Sequence, residues 1–116
     1  MATKMYLEWA KCPTGVWCSF DQLDPATVNA KGIYLIWRNT EDGGVVRVGK
    51  GNICERIRTL RKDPAVRRYG PNLLVTWASV EPEEMDSVVR YLADHYNPLI
   101  TDRLPEPPPI AVNTPD

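Results

Sequence analysis

The sequence predicts a small α/β domain in which a three-stranded central sheet is flanked by helices. Three observations predict it. Residues 32–37 form a β-branched and aromatic run, apolar on both faces, as expected of a central strand. A hairpin signal, Asp42-Gly43-Gly44, joins it to a second β-branched run, Val45-Val46-Arg47-Val48. Two stretches with apolar residues at helical spacing then flank a third strand-like run at residues 73–78. The order hairpin, helix, strand, helix places helices over a sheet. At 116 residues the chain has room for one domain, and 43% hydrophobic with 25% charged residues excludes global disorder.

The elements follow in order. Residues 1–30 read as an N-terminal extension packed on the domain. Met5-Tyr6-Leu7-Glu8-Trp9 and Val16-Trp17-Cys18-Ser19-Phe20 have partial strand character, with Pro13-Thr14-Gly15 as a turn between them. Residues 21–30 are polar and fit a short helical turn or loop. Residues 31–100 hold the domain proper. Gly49-Lys50-Gly51-Asn52 reads as a glycine-rich turn that ends in a good N-cap. Ile53, Ile57 and Leu60 recur at helical spacing, which predicts a helix over 52–62. Asp63-Pro64 ends it or caps a second short turn. Glu81-Pro82-Glu83-Glu84 is a helix start, with proline in the first turn and acids at the positive end of the dipole. Met85, Val88, Val89, Leu92 and Tyr96 form one apolar stripe of that helix, which stops near Asn97-Pro98. Residues 101–116 are proline-rich and predict an extended arm rather than a helix.

No apolar run approaches the ~20 residues of a membrane span. The first residues lack the shape of a signal peptide. Cys12, Cys18 and Cys54 are odd in number and lack CxxC spacing, and with His95 they are poorly spaced for a structural zinc site. The expectation is therefore three reduced thiols in a cytoplasmic protein.

Charge is uneven along the chain. Residues 47–68 carry Arg47, Lys50, Arg56, Arg58, Arg61, Lys62, Arg67 and Arg68 against Glu55 and Asp63, a local net of +6 in a chain whose formal net is −1. Such a block is a solvated helix face, a phosphate-facing surface, or a patch neutralised by the acidic residues 69–116.

Gly32-Ile33-Tyr34, a hairpin, Arg47-Val48-Gly49, then Asn52-Ile53 and Arg56 in the next helix, with Asn97-Pro98 closing the last one, resemble the GIY-YIG nuclease superfamily over residues 31–100. The first tripeptide is the family signature. In the second, Arg47 stands in place of the second tyrosine. The resemblance implies a DNA phosphodiester as substrate, Mg or Mn as cofactor, and DNA as partner. It implies catalytic roles for Tyr34, which activates or positions the attacking water, and for Arg56, which binds the scissile phosphate. It also aligns the family's metal-binding glutamate with Val89.

The residue chemistry agrees in part. Tyrosine has an unperturbed pKa near 10, so a basic tyrosine needs positive charge beside it, which Arg47 across the hairpin offers. Arg56 falls on the flank of the apolar stripe of its helix, where its fork suits a phosphate. Arg47 and Lys50 are expected to line the phosphate path, with Arg58, Arg61 and Lys62 as a wider nucleic-acid footprint. The competing readings are ordinary: a core tyrosine, snorkelling surface arginines and a solvated helix face. Val89 cannot coordinate a hard cation, which takes oxygen. Either the domain is a non-catalytic nucleic-acid-binding or protein-interaction module on the same fold, or Asp86, Glu83 or Glu84 substitutes, or Val89 is a natural or engineered change in a scaffold that normally carries glutamate. The metal ligands and the oligomeric state are not legible. Two remaining signals are a surface tryptophan, Trp9 or Trp17, as a base-stacking platform, and Pro107-Pro108-Pro109 as a polyproline ligand.

Overall fold

A computed structural model describes residues 5–13, 15–40, 43–100 and 108–115. The element order is β1 (Cys18–Ser19), a 3-10 turn (Pro25–Thr27), β2 (Lys31–Arg38), β3 (Val45–Asn52), α1 (Ile53–Arg61), α2 (Pro64–Arg67), β4 (Leu73–Ser79) and α3 (Pro82–Tyr96). The sheet is antiparallel, with strand order β1-β4-β2-β3. The α/β class agrees with the expectation. The sheet has four strands rather than three, because Cys18 and Ser19 pair with Val75 and Leu74 on the far edge of β4. β1 falls inside the Val16–Phe20 run that has partial strand character in the sequence; what the sequence does not show is that this short run joins the central sheet.

β2 lies between β3 and β4, and residues 32–36 are buried, which is why that run is apolar on both faces. Its side chains alternate between two cores. Tyr34 and Ile36 pack with Val46, Ile53, Ile57, Leu60 and Val75 on the side covered by α1 and α2. Ile33 and Leu35 pack with Val48, Met85, Val88, Val89 and Leu92 under α3. A bulge between Ile36 and Trp37 puts Arg47 opposite Ile36 and Val45 opposite Trp37, so Val46 and Arg47 both escape the α3 side.

The helix signals act as expected. The Asn52 Oδ1 accepts from the Glu55 N–H at 3.2 Å and starts α1, and Asp63 caps α2 through the Ala65 N–H at 2.9 Å. α3 stops where Asn97 turns left-handed at φ 49°. One reading is corrected. Gly49-Lys50-Gly51-Asn52 is not a turn: β3 continues through all four residues, paired to Tyr34, Ile33, Gly32 and Lys31.

The N-terminal segment and the C-terminal arm hold each other on the α3 side. Met5 bridges Val112 in parallel. The Asn113 amide clamps Leu7, accepting its N–H and donating to its carbonyl at 2.8 Å. Ile110 donates its N–H to the Ser87 carbonyl at 3.1 Å. Pro107 lies outside the described residues, as does the middle of the Pro13-Thr14-Gly15 turn.

Cys12 and Cys18 are joined as a disulfide with Cα atoms 5.2 Å apart, which corrects the expectation of three reduced thiols; Cys54 is the free one. The loop between them is folded back by hydrogen bonds from the Cys12 N–H to the Val16 carbonyl and from the Gly15 N–H to the Cys12 carbonyl. That turn brings the thiols within bonding range, which their spacing alone does not reveal. Among the described residues, no helix is long and apolar enough to cross a membrane.

Candidate functional site

The site grows out of the outer strand. β3 is the sheet edge, and Arg47, Gly49 and Gly51 alternate along its α1-facing side. Tyr34, one strand inward, is directly opposite Gly49. A Cβ on Gly49 would lie 2.2 Å from the Tyr34 hydroxyl and 2.4 Å from Cζ, so only glycine lets the tyrosine ring lie across the edge strand. There the Arg47 Nε donates a hydrogen bond to the Tyr34 Oη at 3.2 Å. The ring is 3% exposed and shares the core with Ile53 and Ile57.

Gly51, at φ +126°, supports the next member of the row. A Cβ there would meet the Arg56 Cδ at 3.4 Å, so the aliphatic stem of Arg56 lies on bare backbone. Alternate residues of a strand are about 7 Å apart. Arg47, the Tyr34 hydroxyl and the Arg56 stem therefore stand in line along one face of β3. Beyond them, Lys50, Asn52, Glu55, Arg56, Arg58 and Thr59 line a shallow polar groove where β3 passes into α1. Asn52, Thr59 and Glu55 are its less evident members. They are legible only once β3 is known to run directly into the helix.

The rest of the basic block is divided. Lys50 points to the α3 side, where its ammonium meets the Asp86 carboxylate at 2.5 Å; the two side chains are 48% and 42% exposed. Arg58 is exposed along the groove. Lys62 is the C-cap of α1, at the far end of that helix from the groove. Arg61 departs from the expected nucleic-acid footprint. Its Nε donates to the Phe20 carbonyl at 2.9 Å, and its Nη2 donates to the Leu23 carbonyl, so the guanidinium ties the loop after β1 to α1. Arg67 ties the same loop to α2 through a two-point pair with Asp21 at 2.6 and 3.1 Å. Both guanidiniums also stand near the Phe20 ring, 5.9 and 5.7 Å from its centroid.

Val89 is not beside the tyrosine. It is 8% exposed and packs among Ile33, Leu35 and Val48, across the sheet from Tyr34. Asp86, three residues earlier on the same helix, is held by Lys50 on that same α3 side. Among the described residues, the groups that meet at the Arg47–Tyr34 contact are a phenol and a guanidinium, and the position aligned with the family's glutamate is hydrocarbon, whereas a hard cation takes oxygen donors. His95 stacks with Tyr91 and meets Tyr96 edge-on at 4.7 Å near the end of α3.

Compared with family models, curated proteins and solved structures, the chain has no match.

Proposed function

We propose that the chain is a GIY-YIG-like domain that binds the phosphodiester backbone of DNA through Arg47, Arg56 and Arg58, with the buried Tyr34 hydroxyl positioning Arg47, and that it lacks the metal-assisted cleavage of the nuclease family it resembles. The observation that carries this reading is the 3.2 Å contact between the Arg47 Nε and the Tyr34 hydroxyl, with Arg56 one step along the same strand face. The planar fork of arginine suits phosphate oxygens, and arginines from β3 and α1 on one side of the sheet supply more than one such group. Valine at the position that the resemblance aligns with the family's metal-binding glutamate favours binding over hydrolysis. An arginine on a phenol oxygen would also stabilise the phenolate, which favours hydrolysis as the second reading. A cytoplasmic setting remains part of this proposal, with the Cys12–Cys18 bridge as the feature that stands against a steadily reducing compartment.

The experiment is a salt titration of DNA affinity, followed by incubation with Mg²⁺ or Mn²⁺ and supercoiled, linear and branched DNA. Each phosphate contact contributes about −0.9 to the slope of log affinity against log salt. A slope steeper than about −2, reduced in Arg56→Ala, supports the reading; a slope near zero overturns it. Cleavage that disappears in Tyr34→Phe would replace binding with hydrolysis.

A further inference from the structure

The α3 side of the sheet carries a second opening, at the other end of β3. Val45 is six residues from Gly51, about 20 Å along the strand. Trp17, Trp37 and Tyr96 line a cavity of about 270 Å³ there, with Leu35 and Val45 as aliphatic surface and Pro115 of the C-terminal arm against it. The two indoles meet edge to face, 5.5 Å apart at 84°. A neighbouring hollow is lined by Tyr6, Trp9, Trp17, Asn113 and Pro115. It shares Trp17 and Pro115 with the first, so the two form one aromatic groove in which Pro115 sits between the openings. Tyr6, which lines the second hollow, is exposed.

The chain's own arm displays the chemistry this surface accepts. Residues 113–115 cross it without helix or strand structure. The Trp9 indole N–H donates to the Asn113 carbonyl at 2.9 Å, and Pro115 lines both hollows together with Trp17. An indole donor to a main-chain carbonyl, with proline rings against aromatic faces, is how extended proline-rich segments are held, because such segments lose little entropy on docking. The first cavity shares Trp17 and Pro115 with that surface and is the more apolar of the two. It is smaller than the ~300 Å³ at the low end of small-molecule sites, a size suited to side-chain anchors of a peptide. The exposed Lys11 ammonium stands 4.7 Å from the Trp17 ring centroid and puts positive charge at this rim.

We propose that this groove docks a proline-rich segment of a partner protein, with a proline anchored between Trp17, Trp37 and Tyr96 and an acidic residue of the segment facing Lys11. The surface is on the opposite face of the sheet from the Arg47–Arg56 row, with Val45 two residues before Arg47, and does not depend on DNA binding.

The test is calorimetric titration of the full chain with a synthetic ten-residue peptide of proline carrying one central glutamate. A glycine-serine peptide of equal length with the same glutamate is the control. Saturable binding of the proline peptide alone is expected, weakened at least tenfold in Trp17→Ala with an unchanged circular dichroism spectrum. Lys11→Glu, at an exposed position, weakens it severalfold. Equal binding of both peptides, or affinity unchanged in both variants, overturns the proposal. So does Trp17-dependent binding of oligothymidylate with no response to the peptide, which would make the groove a base-stacking surface. Concentration-dependent self-association that Trp17→Ala abolishes, without peptide binding, would assign the groove to a second copy of the chain and equally overturn it.

Discussion

The two faces of the sheet treat the same edge strand in opposite ways. On the α1 side, β3 offers Arg47 and two glycines, and the space the glycines leave is taken by a tyrosine ring and an arginine stem from other elements. On the α3 side, Val48 joins a closed apolar cluster with Val88, Val89 and Leu92. Polar side chains are concentrated where the strand lacks its own, and apolar packing where it has them. An alignment that places a metal ligand at position 89 asks the second face to do the work of the first.

The largest expected effect comes from imposing that ligand. Val89→Glu buries a carboxylate among Ile33, Leu35 and Val48. It is expected to cost at least about 3 kcal/mol in urea unfolding at neutral pH, since an unpaired charge in hydrocarbon has no compensating partner. Added Mg²⁺ or Mn²⁺ is not expected to restore the loss. Restoration by millimolar metal, together with nicking of DNA, would show that the two faces share one site.

Gly49→Ala attacks the α1 side at its tightest contact. The new methyl would stand 2.2 Å from the Tyr34 hydroxyl, so the ring has to leave the edge strand or the strands have to part. Overpacking of this kind costs about 1–3 kcal/mol. DNA affinity should fall with it, because the Arg47 contact goes with the ring. A variant of wild-type stability with an unaltered salt slope would mean that the ring's position over Gly49 is irrelevant to binding.

Arg58 and Arg61 differ by three residues on one helix and by everything in their surroundings. Arg61→Ala removes donors to the Phe20 and Leu23 carbonyls and is expected to cost about 1–2 kcal/mol with an unchanged DNA salt slope. Arg58→Ala is expected to leave stability within about 0.5 kcal/mol and to reduce the slope by about 0.9. The reverse pattern would exchange their roles.

How much of this could be read in one dimension depends on the range of the interaction. The cap at Asn52, the α1 stripe of Ile53, Ile57 and Leu60, the buried strand at residues 32–36 and the end of α3 at Asn97 are local, and each residue there carries its own reason. Cys12–Cys18, the hold of Arg61 on the loop after β1, and the overlay of Tyr34 on Gly49 are not local. The last depends on strand register, which is set by the hairpin and its bulge rather than by the residues that meet. The apolar stripe of α3 was legible as a stripe. Which face of the sheet it would cover was not, because the pattern of a helix does not name its partner, and so the position of Val89 relative to Tyr34 needed the fold.

The smallest effect concerns the one pair that spans the boundary between the faces. Lys50 belongs to the basic block by sequence, yet its ammonium is held by Asp86 on the α3 side with both side chains nearly half exposed. An exposed pair of this kind contributes about 0–1 kcal/mol, so Asp86→Asn should hardly move the unfolding midpoint. It should instead release Lys50 at the edge of the polar groove, where a phosphate can take the carboxylate's place. The expected result is a DNA salt slope steeper by about 0.9, the signature of one added phosphate contact, with no gain in the Lys50→Ala background. A gain that survives in that background would come from removing negative charge in general. In that case the pair would not be what divides the basic block between the two faces.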